Sequence, residues 1–207
     1  MAGPDFSFED IARNRGLWPV AGVDEAGRGP LAGPVTAAAV ILDPERIPDG
    51  INDSKKLTAK RREVLYHQLL EVADVGWGEA SVEEIDDLNI LRASHLAMCR
   101  AVASLRQRPA HVLVDGSMRP RDLTGSVETI VKGDARSLSI AAASIVAKIR
   151  RDYVMQDLAQ HYPDYGWQTN MGYPSKSHRA ALQKYGATPH HRRSFKPVHN
   201  ILYQDKN

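Results

Sequence analysis

Val20-Ala21-Gly22-Val23-Asp24-Glu25-Ala26-Gly27-Arg28-Gly29-Pro30 climbs through apolar residues to two adjacent acids, then breaks into glycines around a single arginine. Acids at the end of a buried strand are costly unless a metal, a cation or hydrogen-bond donors meet them. Arg28 is the one nearby residue that can neutralise them. Gly27 and Gly29 remove side-chain bulk where another molecule's backbone must come close. The stretch therefore predicts a carboxylate metal site beside a surface made for a polyanion. It also matches Gly-x-Gly-x-x-Ala, but a dinucleotide fingerprint needs a helix opening at the glycines. Here residues 33–42 read as a strand, and the acids would repel a pyrophosphate.

Working outward, residues 19–24 and 33–42 predict two strands joined by the glycine turn, hence an antiparallel pair. Further strands are predicted at 75–80, 111–115 and 127–131. Thr58 is placed to cap a helix to about residue 73, with Val64, Leu65, Leu69 and Val72 on its apolar face. Ser81-Val82-Glu83-Glu84 is a capping-box pattern opening a helix to about 105, interrupted near Asn89. Residues 137–161 read as a long helix with Ile145, Val146, Ile149 and Tyr153 facing inward, and 177–185 as a short one. The alternation predicts one α/β fold, a mixed central sheet flanked by helices with a small helical C-terminal extension. Residues 1–160 form the body and 161–207 the extension.

Asp24 with Glu25, Asp115 and Asp134 share one context, each at or just past a strand's C-terminal end. Open α/β sheets assemble sites from distant chain segments there. Four clustered carboxylates repel one another unless divalent cations sit among them. Oxygen-only ligands favour Mg²⁺ or Mn²⁺ over zinc, and two such ions about 4 Å apart suit phosphodiester cleavage. Because neighbouring strand residues point to opposite faces, Asp24 is expected between the ions, with the strand ending or twisting at Glu25.

Charge is unevenly spread along the 207 residues: 161–207 carry seven Lys/Arg against two acids, and five of the eight histidines. An acidic body with a basic tail suits a protein that gathers cations in one place and phosphates in another. No apolar run approaches the roughly 20 residues of a membrane span. The first residues lack the features of an export signal, and the lone Cys99, expected as a buried structural thiol, fits a reducing cytoplasm. His190-His191 reads as packing or substrate contact rather than metal ligation.

Together, Asp24-Glu25-Ala26-Gly27-Arg28-Gly29, Asp53-Ser54-Lys55, Val114-Asp115-Gly116, Lys132-Gly133-Asp134, the 141–148 helix, Gly172-Tyr173-Pro174 and residues 186–195 resemble bacterial ribonuclease HII (type 2 ribonuclease H), motif by motif and in order. The resemblance implies a ribonuclease H-like fold and a divalent-metal-dependent endonuclease of RNA–DNA hybrids. It also implies incision 5′ of single ribonucleotides in duplex DNA, leaving 5′-phosphate and 3′-hydroxyl ends, as in ribonucleotide excision repair. Asp24, Glu25, Asp115 and Asp134 carry over as the catalytic, metal-binding acids, with Asp24 between two ions. Gly27, Arg28 and Gly29 carry over as the loop that reads the ribose 2′-hydroxyl, and Tyr173 as the residue that touches the same sugar. Lys55, Ser144 and Lys148 are expected to hold phosphates, the last two sharing one helix face. Ala141, Met171 and Lys196 depart from the family's usual residues. A monomer is the default expectation, and Ile201-Leu202-Tyr203-Gln204 leaves room for a sliding-clamp contact. The competing readings are another metal nuclease of the same fold, such as a junction resolvase, and a non-catalytic nucleic-acid binding module. The clustered acids speak against the second, because carboxylates beside phosphates weaken binding unless cations intervene.

Overall fold

Strand β1 (Val20–Ala26) is the middle of a five-stranded sheet in a computed structural model that describes residues 3–203. Strands β2 (Val35–Ile41), β3 (Asp74–Ala80), β4 (His111–Asp115) and β5 (Ser126–Ile130) complete the order β3-β2-β1-β4-β5. The glycine-turn hairpin is antiparallel as expected, with Asp24 opposite Ala38. On its other side β1 runs parallel to β4, but that pairing stops at Val23 with Val114. The edge of β1 is therefore open from Asp24 onward, where the acids begin.

Helix α1 (Ser7–Asn14) precedes the sheet; α2 (Ala59–Val72), α3 (Val82–Leu88), α4 (Ile90–Ala103) and α5 (Leu138–His161) flank it. Helices α6 (Trp167–Asn170), α7 (Lys176–Tyr185) and α8 (Lys196–Tyr203) follow. Thr58 caps α2, the Ser81/Glu84 capping box opens α3, and Asn89 at φ +70° ends α3 while capping α4. One core joins β2, α2 and α5; a second joins β1, β2 and β4 to α4. A third gathers Leu31, Met155, Tyr165, Trp167, Leu182 and Val198 at the C-terminal end. None of the described helices is long and apolar enough to cross a membrane.

The approach of α5 to β1 depends on Gly22. A methyl group there would stand 2.1 Å from the main-chain carbon of Ser139, and backbone cannot rotate away. Gly22→Ala should therefore sit at the upper end of overpacking costs, about 3 kcal/mol, read as a lowered urea midpoint. A midpoint within error of wild type would mean that the helix is free to shift. The N-terminus of α5 is held by a distant residue: Glu9 Oε1 of α1 accepts from Ser137 Oγ at 2.6 Å and Ser139 N at 2.9 Å. A carboxylate there satisfies a free helical N–H and complements the helix dipole.

Four expectations change. β1 does not end at Glu25; its register with β2 is regular through Ala26, because β2 carries it past the point where pairing with β4 stops. Tyr153 faces the rim rather than the interior, at 37% exposed, its ring edge-on to Tyr66 and its hydroxyl donated to Glu63. Val64 is exposed and Tyr66 takes its place on the buried face of α2. Cys99 is only half-buried, at the edge of the α4 core.

Candidate active site

The period of a strand sorts the acids. Val23 packs into the α4 core, whereas Gly22 abuts α5, so Asp24 belongs to the α5 face and Glu25 to the α4 face. In β4, Leu113 packs with Ile140 of α5, and Asp115 shares its face with Leu113. Asp115 Oδ1 accepts from Gly133 N at 2.7 Å, which draws the Gly133–Ala135 turn and its Asp134 alongside. Asp24 is 5% exposed, with Oδ1 accepting from Glu25 N at 2.7 Å. Burial, then the charges of Glu25 and Asp115, hold its carboxyl well above the usual carboxylate range. Burial and then Asp134 raise Asp115 as well, against the Gly133 N–H that pulls it down.

Two cations already stand on this cluster. Arg28 Nη1 donates to Glu25 Oε1 at 3.1 Å, and Lys55 Nζ donates to Asp134 Oδ2 at 3.1 Å. Despite burial, which pulls it down, the Asp134 bond and charge push the Lys55 ammonium up. Among the described residues no three His, Cys, Asp or Glu side chains are drawn into a ready coordination shell. The chemistry of the donor set nevertheless fits hard divalent cations. The donor atoms on offer are all carboxylate oxygens, neighbouring acids help to raise the pKa of Asp24 and Asp115, and among the described residues Glu25 Oε2 is buried without a hydrogen-bond partner.

Asp24, Glu25 and Asp115 open on one cleft of about 270 Å³ with Gly27, Arg28, Gly29, Lys55, Ser144, Lys148 and Tyr173. Larger cavities of about 490 and 470 Å³ lie away from these acids. A Cβ on Gly29 would rest 3.5 Å from Tyr173 Cε1, so the glycine loop and the tyrosine are neighbours. Lys55 reaches Asp134 from an open position, with 79% of its side chain exposed. Lys148 is partly buried and donates to Asp152 Oδ1 at 2.5 Å. Ser144 has another occupation: it is 3% exposed, donates to Ala141 O at 2.8 Å and accepts from Ser54 N at 3.2 Å. It thereby ties α5 to the loop that carries Lys55.

Three buried groups hold the cleft's walls, and of their residues the sequence reading singled out only His191, as packing or substrate contact. Arg192 gives all its donors to main-chain carbonyls of the glycine loop: Gly33, Arg28, Pro30, Gly27 and Pro34, at 2.6–3.1 Å. Arg151 donates to Pro34 O, Ala32 O and Met171 O. Burial lowers Arg151 to about 10, and burial together with Arg151's charge lowers Arg192 to about 9, so both remain cations. The third is a pair of imidazoles. His178 Nδ1 faces Tyr173 O at 2.9 Å, and a carbonyl only accepts, so this nitrogen carries the proton. Its Nε2 then accepts from Trp167 Nε1 and from His191 Nε2, while His191 Nδ1 accepts from Thr188 N. Every proton in this chain is assigned with both rings neutral, and burial followed by the neighbouring histidines lowers His191 to about 3. His191 is thus a packing residue; its signal in the sequence was the His-His pair itself.

The ribonuclease HII family profile matches residues 21–198. A ribonuclease HII from Paracoccus denitrificans is 64% identical over 206 residues, covering 100% of this chain and 98% of its own. The ribonuclease H2 structure from Pyrococcus horikoshii OT3 superposes with a TM-score of 0.74 at 32% identity, over 91% of this chain and 99% of its own. The Archaeoglobus fulgidus ribonuclease HII, solved in complex with PCNA, gives a TM-score of 0.72 at 26% identity, over 86% and 95%. The mixed five-stranded sheet, the ordered motifs and these likenesses agree, and the chain belongs to the ribonuclease HII family of ribonuclease H enzymes.

Proposed function

We propose that the chain hydrolyses RNA in RNA–DNA hybrids and incises 5′ of single ribonucleotides in duplex DNA, with Asp24, Glu25, Asp115 and Asp134 holding two divalent ions, Mg²⁺ or Mn²⁺. The observation that carries this reading is the meeting of three of these acids with Gly27, Arg28, Gly29 and Tyr173 in one cleft. Bound there, the ions would supply a nucleophilic water at neutral pH and neutralise charge on the leaving oxygen. The residues of the chain do the rest. Only the 2′-hydroxyl separates a ribonucleotide from its neighbours, so selection requires aligned groups at that atom. The glycine loop admits the sugar edge closely, and the half-exposed Tyr173 ring offers a flat face to it. Lys55 is free to leave Asp134 for a phosphate, and Lys148 and the Ser144-braced loop line the same path.

Residues 1–160 act as the catalytic body, and 161–207 as a basic extension that supplies Tyr173. The relative's complex with PCNA supports a sliding-clamp contact at the end of α8, where Leu202 and Tyr203 are exposed; Gln204 lies outside the described residues. The protein acts as a cytoplasmic monomer in ribonucleotide repair. The test is incubation with a duplex carrying one ribonucleotide, with and without divalent ion, and mapping of the nick. A single cut 5′ of the ribonucleotide, dependent on the ion, is expected; ion-independent or randomly placed cuts would end the reading. Tyr173→Ala should lower incision at the single ribonucleotide about 100-fold, the scale of a misplaced sugar. Its ring is 46% exposed, so stability should change by less than about 0.5 kcal/mol. An unchanged rate would reduce Tyr173 to a wall of the cleft.

A further inference from the structure

We propose that Arg151 is a positioning residue that sets the gap between the Gly27-Arg28-Gly29 loop and Tyr173, and through it the ability to act on one isolated ribonucleotide. This rests on the reading of those two elements as the ribose contacts. Arg151 rises from α5, the helix that packs on β1 and carries Ser144 and Lys148, and it is 1% exposed. Its guanidinium spans the two segments: Nε donates to Pro34 O at 3.1 Å, Nη2 to Ala32 O at 3.1 Å and Nη1 to Met171 O at 2.9 Å. Among the described residues no other side chain donates to both. Arg192 reaches carbonyls between Gly27 and Pro34 only, and His178 reaches Tyr173 O only.

The contact is also a spacer from below. A Cβ on Gly27 would lie 2.0 Å from Arg151 Nε and 2.3 Å from its Cδ, so the loop rests directly on this side chain. Among the described residues no carboxylate accepts from Arg151; a buried cation here is matched to neutral carbonyl dipoles. That arrangement uses the planar, fixed directions of a guanidinium, which an ammonium cannot reproduce. A chain that needed only a buried cation would not require the fork.

Substrate choice follows from register. A uniform hybrid offers a ribose at every step, so a slack gap still finds registers in which both elements engage. A lone ribonucleotide offers one register, and the loop and Tyr173 must meet adjacent sugars at a fixed separation. Errors near 1 Å at such a constellation cost up to about 100-fold.

The experiment compares wild type with Arg151→Lys on two substrates in the same preparation, a uniform RNA–DNA hybrid and a duplex with one ribonucleotide. Loss of folded protein scales both rates equally, so the ratio of the two kcat/KM values isolates positioning. The lysine variant should lower the single-ribonucleotide rate about tenfold more than the hybrid rate. Should it fail to fold, Arg151→Gln, which removes the buried charge, is read in the same way. A ratio equal to that of wild type, whether both rates fall together or neither falls, would overturn the inference. Wild-type protein that cuts hybrids but not the single ribonucleotide would strike the reading of the two ribose contacts, and this inference with it.

Discussion

Asp24→Asn should abolish cleavage and at the same time raise the melting temperature of the metal-free protein. Asp24 is buried beside three other acids, and its raised pKa means that ionising it in the folded state costs free energy. Below its unfolded value, near 3.8, the carboxyl is protonated in both states and the cost is absent. As pH rises from there to the raised folded value, the unfolded chain releases its proton first, and stability falls by about 1.4 kcal/mol per pH unit. Asparagine keeps the shape and never ionises. The stability gap between variant and wild type should therefore open above pH 3.8 and widen with pH until the raised folded value is reached, each kcal/mol being worth about 2–4 °C. Adding Mg²⁺ should raise the wild-type midpoint and leave the variant nearly unmoved. Cleavage should drop by about 1,000-fold or more, as expected when metal-assisted chemistry is lost. A variant less stable than wild type in chelator would show that Asp24 is held by favourable contacts rather than crowded by its neighbours.

The second large effect belongs to a residue that touches no substrate. Arg192→Met keeps the length and removes five hydrogen bonds to five carbonyls of residues 27–34, all around a fully buried side chain. Carbonyls left unsatisfied in the interior cost about 1–3 kcal/mol each where water cannot replace the donor. With partial hydration the loss should come to about 4 kcal/mol, measured as a urea midpoint. In the fraction that remains folded, hybrid cleavage should fall about 100-fold, because the loop on which Arg28 and Gly29 ride loses its fixed shape. Arg192→Lys, a point charge able to satisfy only part of the set, should fall between the two. Near wild-type stability in Arg192→Met would mean that the loop is held by its own backbone bonds, such as Gly33 N to His190 O.

How far the sequence reaches is explained by which interactions leave a chemical trace. Strand β1 and its acids were legible because burial imposes an apolar run, and two carboxylates at its end have few other uses. The caps at Thr58 and Ser81 were legible because capping is local and depends on residue type, whereas near Asn89 the sequence marked only an interruption and the structure supplies its role as the cap of α4. Arg151 and Arg192 were not legible, although both bind the loop that walls the cleft. Their acceptors are main-chain carbonyls, which every residue carries, so no complementary acid marks the partner. The Glu9 bond to the start of α5 joins residues that only the tertiary fold brings together. Tyr153 was misplaced because a helix period assigns a direction, while a phenol at the rim keeps its hydroxyl in reach of water and Glu63.

The five bonds from Arg192 also impose an order on biosynthesis. A ribosome delivers the sheet and α5 well before Arg192, yet the glycine loop that follows β1 is pinned by that late side chain. Domains of this kind begin to fold while the chain is still being made. The nascent protein can therefore own its whole sheet while the mouth of its cleft stays unshaped, and competence to cut arrives only once Arg192 has left the exit tunnel. Proteolysis of stalled chains of increasing length should show residues 27–34 becoming resistant later than β1 itself.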